Sequence, residues 1–239
     1  MFKRHLSSPS IDWEHKFRQK LPLVSNSHLI HFYQSGVTSG DTAMEDVTFL
    51  AMDFETTGLN DKQDEIITIG TVPFNLNRVF LNQAKHWTVR PRRQLEEESV
   101  VIHGITHNDV LDAPDFSEIY AQVLDEMAGK ILVVHYNQIE RKFLDRALKT
   151  RIKEGIEFPV IDTLALESQI QRKLNGGLIN RLKGKKPESV RLGQSRGRYG
   201  LPAYTPHHAL TDAIATAELL QAQVAYHYNR KDALKHFWL

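Results

Sequence analysis

The chain has 239 residues, 41% of them hydrophobic and 25% charged, with a formal net charge of +1, which is typical of a globular protein and excludes disordered and collagen-like classes. It contains no cysteine, so disulfides, thiol nucleophiles and cysteine-bound metals are excluded, and any metal would have oxygen or nitrogen ligands. Its N-terminus carries charges where a signal peptide has an apolar core, and no apolar run approaches the roughly 20 residues that span a bilayer, so we expect a cytoplasmic protein with no membrane partner.

Residues 1–46 predict a helical N-terminal extension, and residues 47–239 predict the main domain. Within the extension, amphipathic spacing predicts one helix near Ile11–Leu21 and another near Ser25–Gln34, followed by a turn-rich stretch. The pattern then changes to a continuous apolar run, Val47–Met52, which is typical of a strand buried on both faces. We therefore place the start of the main domain at this strand.

The remainder of the chain predicts an α/β domain. Two β-rich segments, Glu65–Phe74 and Arg78–Val89, follow the first strand at distances short enough for an antiparallel meander. Helices and strands then alternate: a helix at Phe116–Met127, a strand at Ile131–His135, a helix at Glu140–Lys149, a short strand at Pro159–Leu164 and a long helix from about His207 to Tyr226. This order indicates a mixed sheet with helices on its faces.

One interval of the chain, Arg172–Arg198, is strongly basic. It contains nine lysine or arginine residues and a single acidic residue, Glu188. Such an interval is either a solvated surface loop or a patch that contacts phosphate groups. In the second case Lys183, Lys185 and Lys186 would bind the substrate.

Two acidic residues, Asp53 and Glu55, stand at the end of the first predicted strand. Their spacing of two residues points both carboxylates to one side if the extended conformation continues. Mutual repulsion would be costly unless a cation lay between them, so the pair suggests a hard divalent ion such as Mg²⁺ or Mn²⁺. Alternatively, these acids simply precede a turn at the end of the strand, in which the chain is reversed by Thr56, Thr57, Gly58 and Asn60.

Three further polar residues are candidates for the same site. Glu140 begins a predicted helix, and by itself it is as compatible with a solvated helix surface as with a metal ligand. Asp212 interrupts the alanine-rich, packed side of the last helix, where a carboxylate is uncommon without a partner, and His207 lies five residues before it. Alternatively, His207 and its neighbour His208 are surface histidines held by local hydrogen bonds.

Three short motifs connect these residues. The first is DFETTGL, which begins at Asp53; the second is His135 with Glu140 five residues later; the third is HHALTDA, which begins at His207. Their order resembles the three motifs of the DnaQ-like family, the DEDDh exonucleases, and the segment Val101–Thr106 resembles one commonly found between the first two motifs. The resemblance covers about residues 47–226 and implies a ribonuclease H-like fold with a five-stranded mixed sheet.

The resemblance implies a metal-dependent 3′–5′ exonuclease that acts on single-stranded DNA with two Mg²⁺ or Mn²⁺ ions and releases nucleoside 5′-monophosphates. It implies that Asp53 bridges both ions, and that Glu55 and Asp212 complete the site of the ion that carries the nucleophile. Glu140 would support the second ion, and His207 would be the general base, a role suited to an imidazole near neutral pH. Besides the three lysines, the predicted substrate-binding residues are Thr56, Thr57, Gly58, Leu59 and His103.

One position departs from the family pattern. The middle motif usually has histidine-asparagine and then, after two residues, phenylalanine-aspartate, whereas this chain has Tyr136 and Asn137 after the histidine and Glu140 in place of the aspartate. The longer glutamate moves the carboxylate by about 1.5 Å, which is large against the near-octahedral geometry that Mg²⁺ requires. We therefore expect a slower enzyme or one whose preference is shifted toward Mn²⁺.

Other functions are compatible with the sequence. The same fold and chemistry would serve an exoribonuclease acting on short RNA, since discrimination rests on contacts with the 2′-hydroxyl. An altered middle motif would also suit an inactive nucleic-acid-binding or polymerase-associated module. Separately, Gln19, Leu21 and Leu23 resemble a sliding-clamp-binding pentapeptide, although packing of an amphipathic helix on the domain explains the two leucines equally well.

Overall fold

The computed structural model describes residues 11–175 and 188–239, and a five-stranded mixed sheet forms its centre. The strands are β1 at Phe49–Thr56, β2 at Ile66–Phe74, β3 at Lys85–Thr88, β4 at Ile131–Val134 and β5 at Val160–Asp162. Their order in the sheet is β3-β2-β1-β4-β5. β2 is antiparallel to both β1 and β3, whereas β4 is parallel to β1 and β5. The mixed five-stranded sheet predicted from the sequence is thus confirmed.

Nine α-helices accompany the sheet in the part of the chain that the structure describes. They are α1 at Trp13–Lys20, α2 at Ser27–Gln34, α3 at Glu97–His103, α4 at His107–Val110, α5 at Phe116–Met127, α6 at Gln138–Ile152, α7 at Thr163–Asn175, α8 at Leu192–Arg198 and α9 at Ala209–His227. None of these helices is both long and apolar enough to cross a membrane. α3, α4, α7 and α8 were not predicted, and the predicted strand Arg78–Val89 forms only β3, because its first part turns in a 3₁₀ helix at Leu81–Gln83.

β1 is longer than the apolar run in the sequence. It continues through Asp53 and Glu55 to Thr56, because β2 pairs with it over this whole length. All but one of its residues are buried, as expected for a strand covered on both faces. The continued strand keeps the extended conformation through the two acids, so both carboxylates project from one face of the sheet.

A glycine in β2 lets the last helix approach the sheet closely. Asp53 of β1 lies opposite Gly70, and directly opposite residues of an antiparallel pair project to the same face. A β-carbon on Gly70 would overlap the main chain of Ala209, the first residue of α9. α9 therefore begins directly over Gly70, on the face from which Asp53 and Glu55 project.

The N-terminal helices pack into the same core as the sheet. Trp13 and Phe17 of α1, and Leu29, Phe32 and Tyr33 of α2, are buried in one hydrophobic cluster with residues of β1 and β4. Burying side chains of this kind stabilises a fold by roughly 1.5–3 kcal/mol each. The predicted helical extension is thus present, and it shares its core with the domain that follows.

Segments near the two ends of the described chain lie side by side. The N–H of Met44 donates to the carbonyl of Asp232 (3.1 Å), and the indole N–H of Trp13 donates to the carbonyl of Leu239 (3.0 Å). Trp238 forms an antiparallel bridge with Ile161 of β5. The C-terminal residues therefore cover the edge of the sheet that β5 would otherwise leave open.

Candidate active site

Three carboxylates converge where β1 ends and α9 begins. Asp53 and Glu55 project from β1, and Asp212 projects from the first turn of α9. One oxygen of each lies within 4.8 Å of the others. Oxygens this close together can share a divalent cation, so the three residues fit a metal site.

The three-carboxylate arrangement is unfavourable while its members are charged. Burial, together with the charges of Glu140, Asp212 and Glu55, raises the pKa of Asp53 well above its ordinary value. Burial and the charge of Asp212 raise the pKa of Glu55 to about 7. A bound cation would reverse both effects, because a nearby opposite charge favours the ionised form of a carboxyl group.

Glu140 adds a fourth acid to this region. It lies in the first turn of α6, is 2% exposed, and its Oε2 has no hydrogen-bond partner among the described residues. Burial raises the pKa of Glu140, and the charge of Asp162 raises it further. Glu140 lies outside the group of three carboxylates, yet among charged neighbours it has the largest effect on Asp53. A buried, unpartnered carboxylate oxygen beside Asp53 fits a cation ligand.

Asp145 lies five residues after Glu140 on the same helix, and it has a structural role. Its carboxylate accepts the N–H of Ile156 (3.0 Å) and pairs with Lys149 (2.6 Å). These contacts hold the loop that follows α6. Asp145 is therefore not a candidate metal ligand.

The two adjacent histidines before α9 point to different surroundings. His207 lines the cleft with the carboxylates, and its main-chain N–H donates to Oδ2 of Asp212 (2.7 Å). Its φ of 68° is in the left-handed region, which is uncommon for a residue with a β-carbon. The ring of His208 instead stacks on His86 of β3, with centroids 4.9 Å apart. Only His207 is placed to act on a molecule in the cleft.

The carboxylates line a cleft of about 840 Å³. Residues of α3, of α8 and of the segment that leads from α8 to α9 also line it. Four of the predicted substrate-binding residues line this cleft: Thr56, Gly58, Leu59 and His103. The exposed side chain of Leu59 offers an apolar surface at its mouth.

Among the described residues that were predicted to bind the substrate, Thr57 is the one that does not line the cleft. Thr57 is fully buried, its hydroxyl donates to the carboxylate of Asp64 (3.1 Å), and its oxygen accepts the N–H of Glu65 (3.0 Å). A side chain bonded in this way stabilises the turn between β1 and β2. The hydroxyl of Thr57 is thus used within this turn, and its predicted contact with a substrate stays a prediction.

His103 lines the cleft, but both of its ring nitrogens are occupied. Nδ1 accepts the N–H of Ile105 (3.0 Å), and Nε2 lies 2.7 Å from the hydroxyl of Ser99. That hydroxyl donates to the carbonyl of Thr56 (2.8 Å), so Nε2 carries the proton of the neutral ring. Burial lowers the pKa of His103, which agrees with a neutral ring. His103 thus orients the hydroxyl of Ser99, which joins α3 to the end of β1.

The basic interval is partly structural. Lys183, Lys185 and Lys186 lie outside the described residues, so their predicted role stays a prediction. Arg198 pairs with the fully buried Glu167 (2.9 Å). Arg196 is also buried and bonded within the protein. The interpretation of the whole interval as a phosphate-binding patch is therefore wrong for these two arginines.

Asp162, at the end of β5, holds the loop that carries the middle motif. Its carboxylate accepts the main-chain N–H groups of Tyr136 (3.1 Å) and Asn137 (3.0 Å) and the side-chain amide of Asn137 (2.7 Å). Tyr136 has a φ of 89°, which this network maintains. Asn137, which stands one position later than the asparagine of the family pattern, thus helps to hold the loop that leads to Glu140.

Two cleft residues were not singled out from the sequence. The hydroxyl of Tyr204 donates a hydrogen bond to Asp212, and burial raises the pKa of Tyr204 above its ordinary value. Arg191 lines the cleft just before α8. The basic interval contained a signal for Arg191, whereas no local pattern marks Tyr204, because its contact depends on the folded chain.

Comparisons with known proteins relate this site to nucleases. Residues 50–220 match the RNase_T family model, which describes an exonuclease. The chain is 30% identical over 181 residues to a DNA polymerase III PolC-type protein of Thermotoga petrophila, which covers 76% of this chain and 12% of that relative. It is 28% identical over 183 residues to the DNA polymerase III subunit epsilon of Treponema pallidum, which covers 77% and 79%. The chain therefore corresponds to a small part of the first relative and to most of the second.

Solved structures share the fold. The nuclease domain of 3′hExo, a DEDDh family member bound to rAMP, matches with a TM-score of 0.58 and 19% identity over 74% of this chain and 92% of that chain. The zinc-bound complex of E. coli ExoI with single-stranded DNA matches with a TM-score of 0.63 and 16% identity over 77% and 42%. At these identities the likeness establishes a ribonuclease H-like fold.

Proposed function

This chain belongs to the DnaQ-like exonuclease family, and from that membership we propose that it is a metal-dependent 3′–5′ exonuclease acting on single-stranded DNA. The reaction is hydrolysis of the terminal phosphodiester bond with release of a nucleoside 5′-monophosphate. One observation carries the proposal: the oxygens of Asp53, Glu55 and Asp212 lie within 4.8 Å of one another in a cleft that also contains His207.

The acidic residues would hold two divalent ions, Mg²⁺ or Mn²⁺. Asp53, Glu55 and Asp212 supply clustered oxygens for one ion, and the unpartnered oxygen of Glu140 supplies a ligand for a second beside Asp53. When bound, such ions acidify a water molecule and offset the negative charge that develops on the phosphate. The raised pKa values of Asp53 and Glu55 support this assignment, since the ions would be the charges that keep these groups ionised.

His207 would accept the proton of the attacking water on a ring nitrogen. Neutral imidazole is a competent base near neutral pH. The main-chain N–H of His207 is bonded to Asp212, and the hydroxyl of Tyr204 donates to the same carboxylate. The main chain of His207 is therefore bonded directly to a candidate metal ligand, which keeps the two residues close together.

A single-stranded DNA substrate is supported by the names of similar proteins and by the cleft. The similar proteins include a DNA polymerase III epsilon subunit and an ExoI complex with single-stranded DNA. Because another similar structure is bound to rAMP, short RNA is the alternative substrate to be tested. Association with a polymerase or sliding clamp and a cytoplasmic location stay predictions; of the clamp-like residues, Leu23 is 74% exposed, whereas Leu21 packs against the core.

The experiment uses single-stranded DNA and RNA of equal sequence, labelled at either end and incubated with Mg²⁺, Mn²⁺ or EDTA. We expect 5′-labelled DNA to shorten one nucleotide at a time, 3′-labelled DNA to release a labelled mononucleotide at once, and EDTA to stop both reactions. Asp212→Asn is the control for a contaminating nuclease. Faster cleavage of RNA would indicate an exoribonuclease, and absence of hydrolysis with either ion would indicate an inactive binding module.

A further inference from the structure

The cleft is lined by more negative than positive charge. Its lining includes five carboxylates and two guanidinium groups: Asp53, Glu55, Glu96, Glu98 and Asp212, against Arg191 and Arg196. A nucleic-acid strand is a polyanion, and cationic side chains supply most of its sequence-independent affinity. The described part of the cleft therefore offers the two arginines as its candidates for binding phosphates away from the metal site.

Arg196 is not available for this purpose. Its side chain is 4% exposed, and Nη1 donates to the carbonyl of Ala215 (2.8 Å) and pairs with Glu218 (2.7 Å). Nη2 donates to the carbonyl of Pro202 (3.1 Å). These contacts fasten α8 to α9 and neutralise the charge of Arg196.

Arg191 is exposed, and its guanidinium group has no ion pair or hydrogen bond within residues 11–175 and 188–239. The other residues of the chain, 1–10 and 176–187, include no aspartate or glutamate. No carboxylate of those stretches can therefore neutralise this charge. Arg191 is an uncompensated cation at the edge of an acidic cleft.

The main chain around Arg191 is fixed relative to the acidic site. The carbonyl of Arg191 accepts the N–H of Ser195 (2.9 Å) at the start of α8, which Arg196 fastens to α9. The preceding carbonyl, that of Val190, lies 3.1 Å from Nε2 of His135, a residue of the middle motif. The main chain at Arg191 is thus connected to His135 of the second motif. Through α8, it is also connected to α9, which carries the third motif.

We propose that Arg191 binds a phosphodiester group of the substrate strand beside α8 in the cleft. The guanidinium fork matches the geometry of phosphate oxygens. Glu96 and Glu98, which line the cleft at the start of α3, repel phosphates, so we expect the backbone of the strand to lie nearer α8 than α3. The inference rests on the proposed function. Arg191 is a substrate-binding residue and takes no part in proton transfer or metal binding.

The test measures binding of a fluorescent, hydrolysis-resistant single-stranded DNA in Ca²⁺ over a range of salt concentrations. Arg191→Gln should weaken binding about tenfold and reduce the salt slope by about 0.7, the effect of one lost phosphate contact on single strands. Arg191→Lys should keep most of the salt slope, and its affinity should lie between those of wild type and Arg191→Gln. Lysine keeps the positive charge but lacks the forked guanidinium group. The control is Arg18→Gln, which removes an exposed charge on α1, away from the cleft, and should bind like wild type.

Hydrolysis by the same variants separates the possible results. Arg191→Gln should raise KM with little change in kcat, whereas a large loss of kcat at unchanged KM would overturn the proposal by placing Arg191 in the chemical step. Equal affinity and slope for Arg191→Gln and wild type would also overturn it. A third result would overturn it as well: Arg191→Gln is inhibited less by a nucleoside 5′-monophosphate but binds the strand as wild type does. Arg191 would then contact only the released product. If wild type hydrolyses nothing, the proposed function fails, but the binding comparison still decides the role of Arg191.

Discussion

At the scale of single residues, we expect the clustered carboxylates to be required for hydrolysis and to lower the stability of the metal-free protein. Asp53→Asn and Asp212→Asn each remove a ligand and relieve repulsion, so we expect hydrolysis to fall at least about 100-fold while the metal-free protein melts at the same temperature or slightly higher. Initial rates at saturating Mg²⁺ and thermal melting in EDTA measure both effects. More than a tenth of wild-type activity in either variant would contradict the metal assignment.

The two histidines before α9 provide a matched pair of substitutions. His207→Ala should lower kcat about 10²- to 10⁴-fold and remove the acidic limb of the pH–rate profile, because a general base contributes roughly that much. His208→Ala removes only a ring stacked on His86, and we expect a small effect. Kinetics of both variants over a pH series test this. A silent His207→Ala beside a damaging His208→Ala would show that the wrong base has been identified.

The glutamate of the middle motif can be tested against a nearby acid. Glu140→Gln should depress activity severely, whereas Glu140→Asp should remain active and gain relative rate with Mg²⁺, because the shorter side chain changes the reach of the ligand. Asp145→Asn is the control, since Asp145 holds the loop after α6 and should affect melting more than hydrolysis. Titrations with Mg²⁺ and Mn²⁺ measure the rates. Loss of activity in Asp145→Asn with a healthy Glu140→Gln would mean that the motif has been misaligned.

At the scale of elements, the site depends on how closely α9 approaches the sheet. Gly70→Ala would place a methyl group against the main chain of Ala209 and push the start of α9 away from β1. Overpacking of this kind costs about 1–3 kcal/mol in stability. We expect a folded protein whose activity falls far more than its stability, because a shift of about 1 Å at a catalytic group costs on the order of 100-fold.

Denaturant unfolding and hydrolysis of Gly70→Ala should be compared with those of a second glycine variant. Gly40→Ala would place a methyl group against the side chain of Trp238, away from the cleft, and serves as the control for overpacking. Equal losses of activity in both variants would contradict a specific role for the contact between β2 and α9.

The elements that the sequence predicted well are those with a strong local signal. β1, β2 and the long helices α5, α6 and α9 have long apolar runs or clear periodicity, and all were found. α8, with the sequence LGQSRGR, has two glycines and one apolar residue, so its formation depends on the contacts of Arg196 with α9. α3 leaves Val101 85% exposed and therefore lacks a buried stripe to recognise.

In the candidate site, too, the residues with a strong local signal were predicted and those that depend on tertiary contacts were not. Asp53, Glu55 and Asp212 were predicted because a carboxylate at the end of an apolar strand or on a packed helix face is costly and therefore conspicuous. The roles of Thr57 and Tyr204 were not foreseen, because a hydroxyl carries no sign of its partner in the sequence. Its bonds depend on which segments meet after folding, and here those are the turn after β1 and the first turn of α9.

At the scale of the whole molecule, metal binding and stability should be linked through pH. Glu55 has a pKa of about 7 in the folded protein, above its ordinary value of 4.5, and the pKa of Asp53 is raised as well. The metal-free fold therefore binds protons more strongly than the unfolded chain between about pH 4.5 and pH 7. This contribution is full below that window and is lost as pH rises through it.

A divalent ion requires the ionised carboxylates, so its stabilising effect should increase in the same window. We expect saturating Mn²⁺ to raise the Tm by about 5 °C at pH 8 and hardly at all at pH 5. Melting curves with Mn²⁺ or EDTA at a series of pH values measure this, with Asp212→Asn as a variant whose response is weakened. An equal rise in Tm at both pH values would argue against metal binding by these carboxylates.

The close packing of α9 over Gly70 also bears on the order in which the candidate site assembles during folding. β1 and β2 are neighbours in sequence and can pair early, whereas α9 must close a long loop to reach them, which slows its docking. Until α9 docks, Asp212 is not beside Asp53, and the cleft that both residues line is incomplete. We therefore expect the three carboxylates to converge in a late, long-range step of folding.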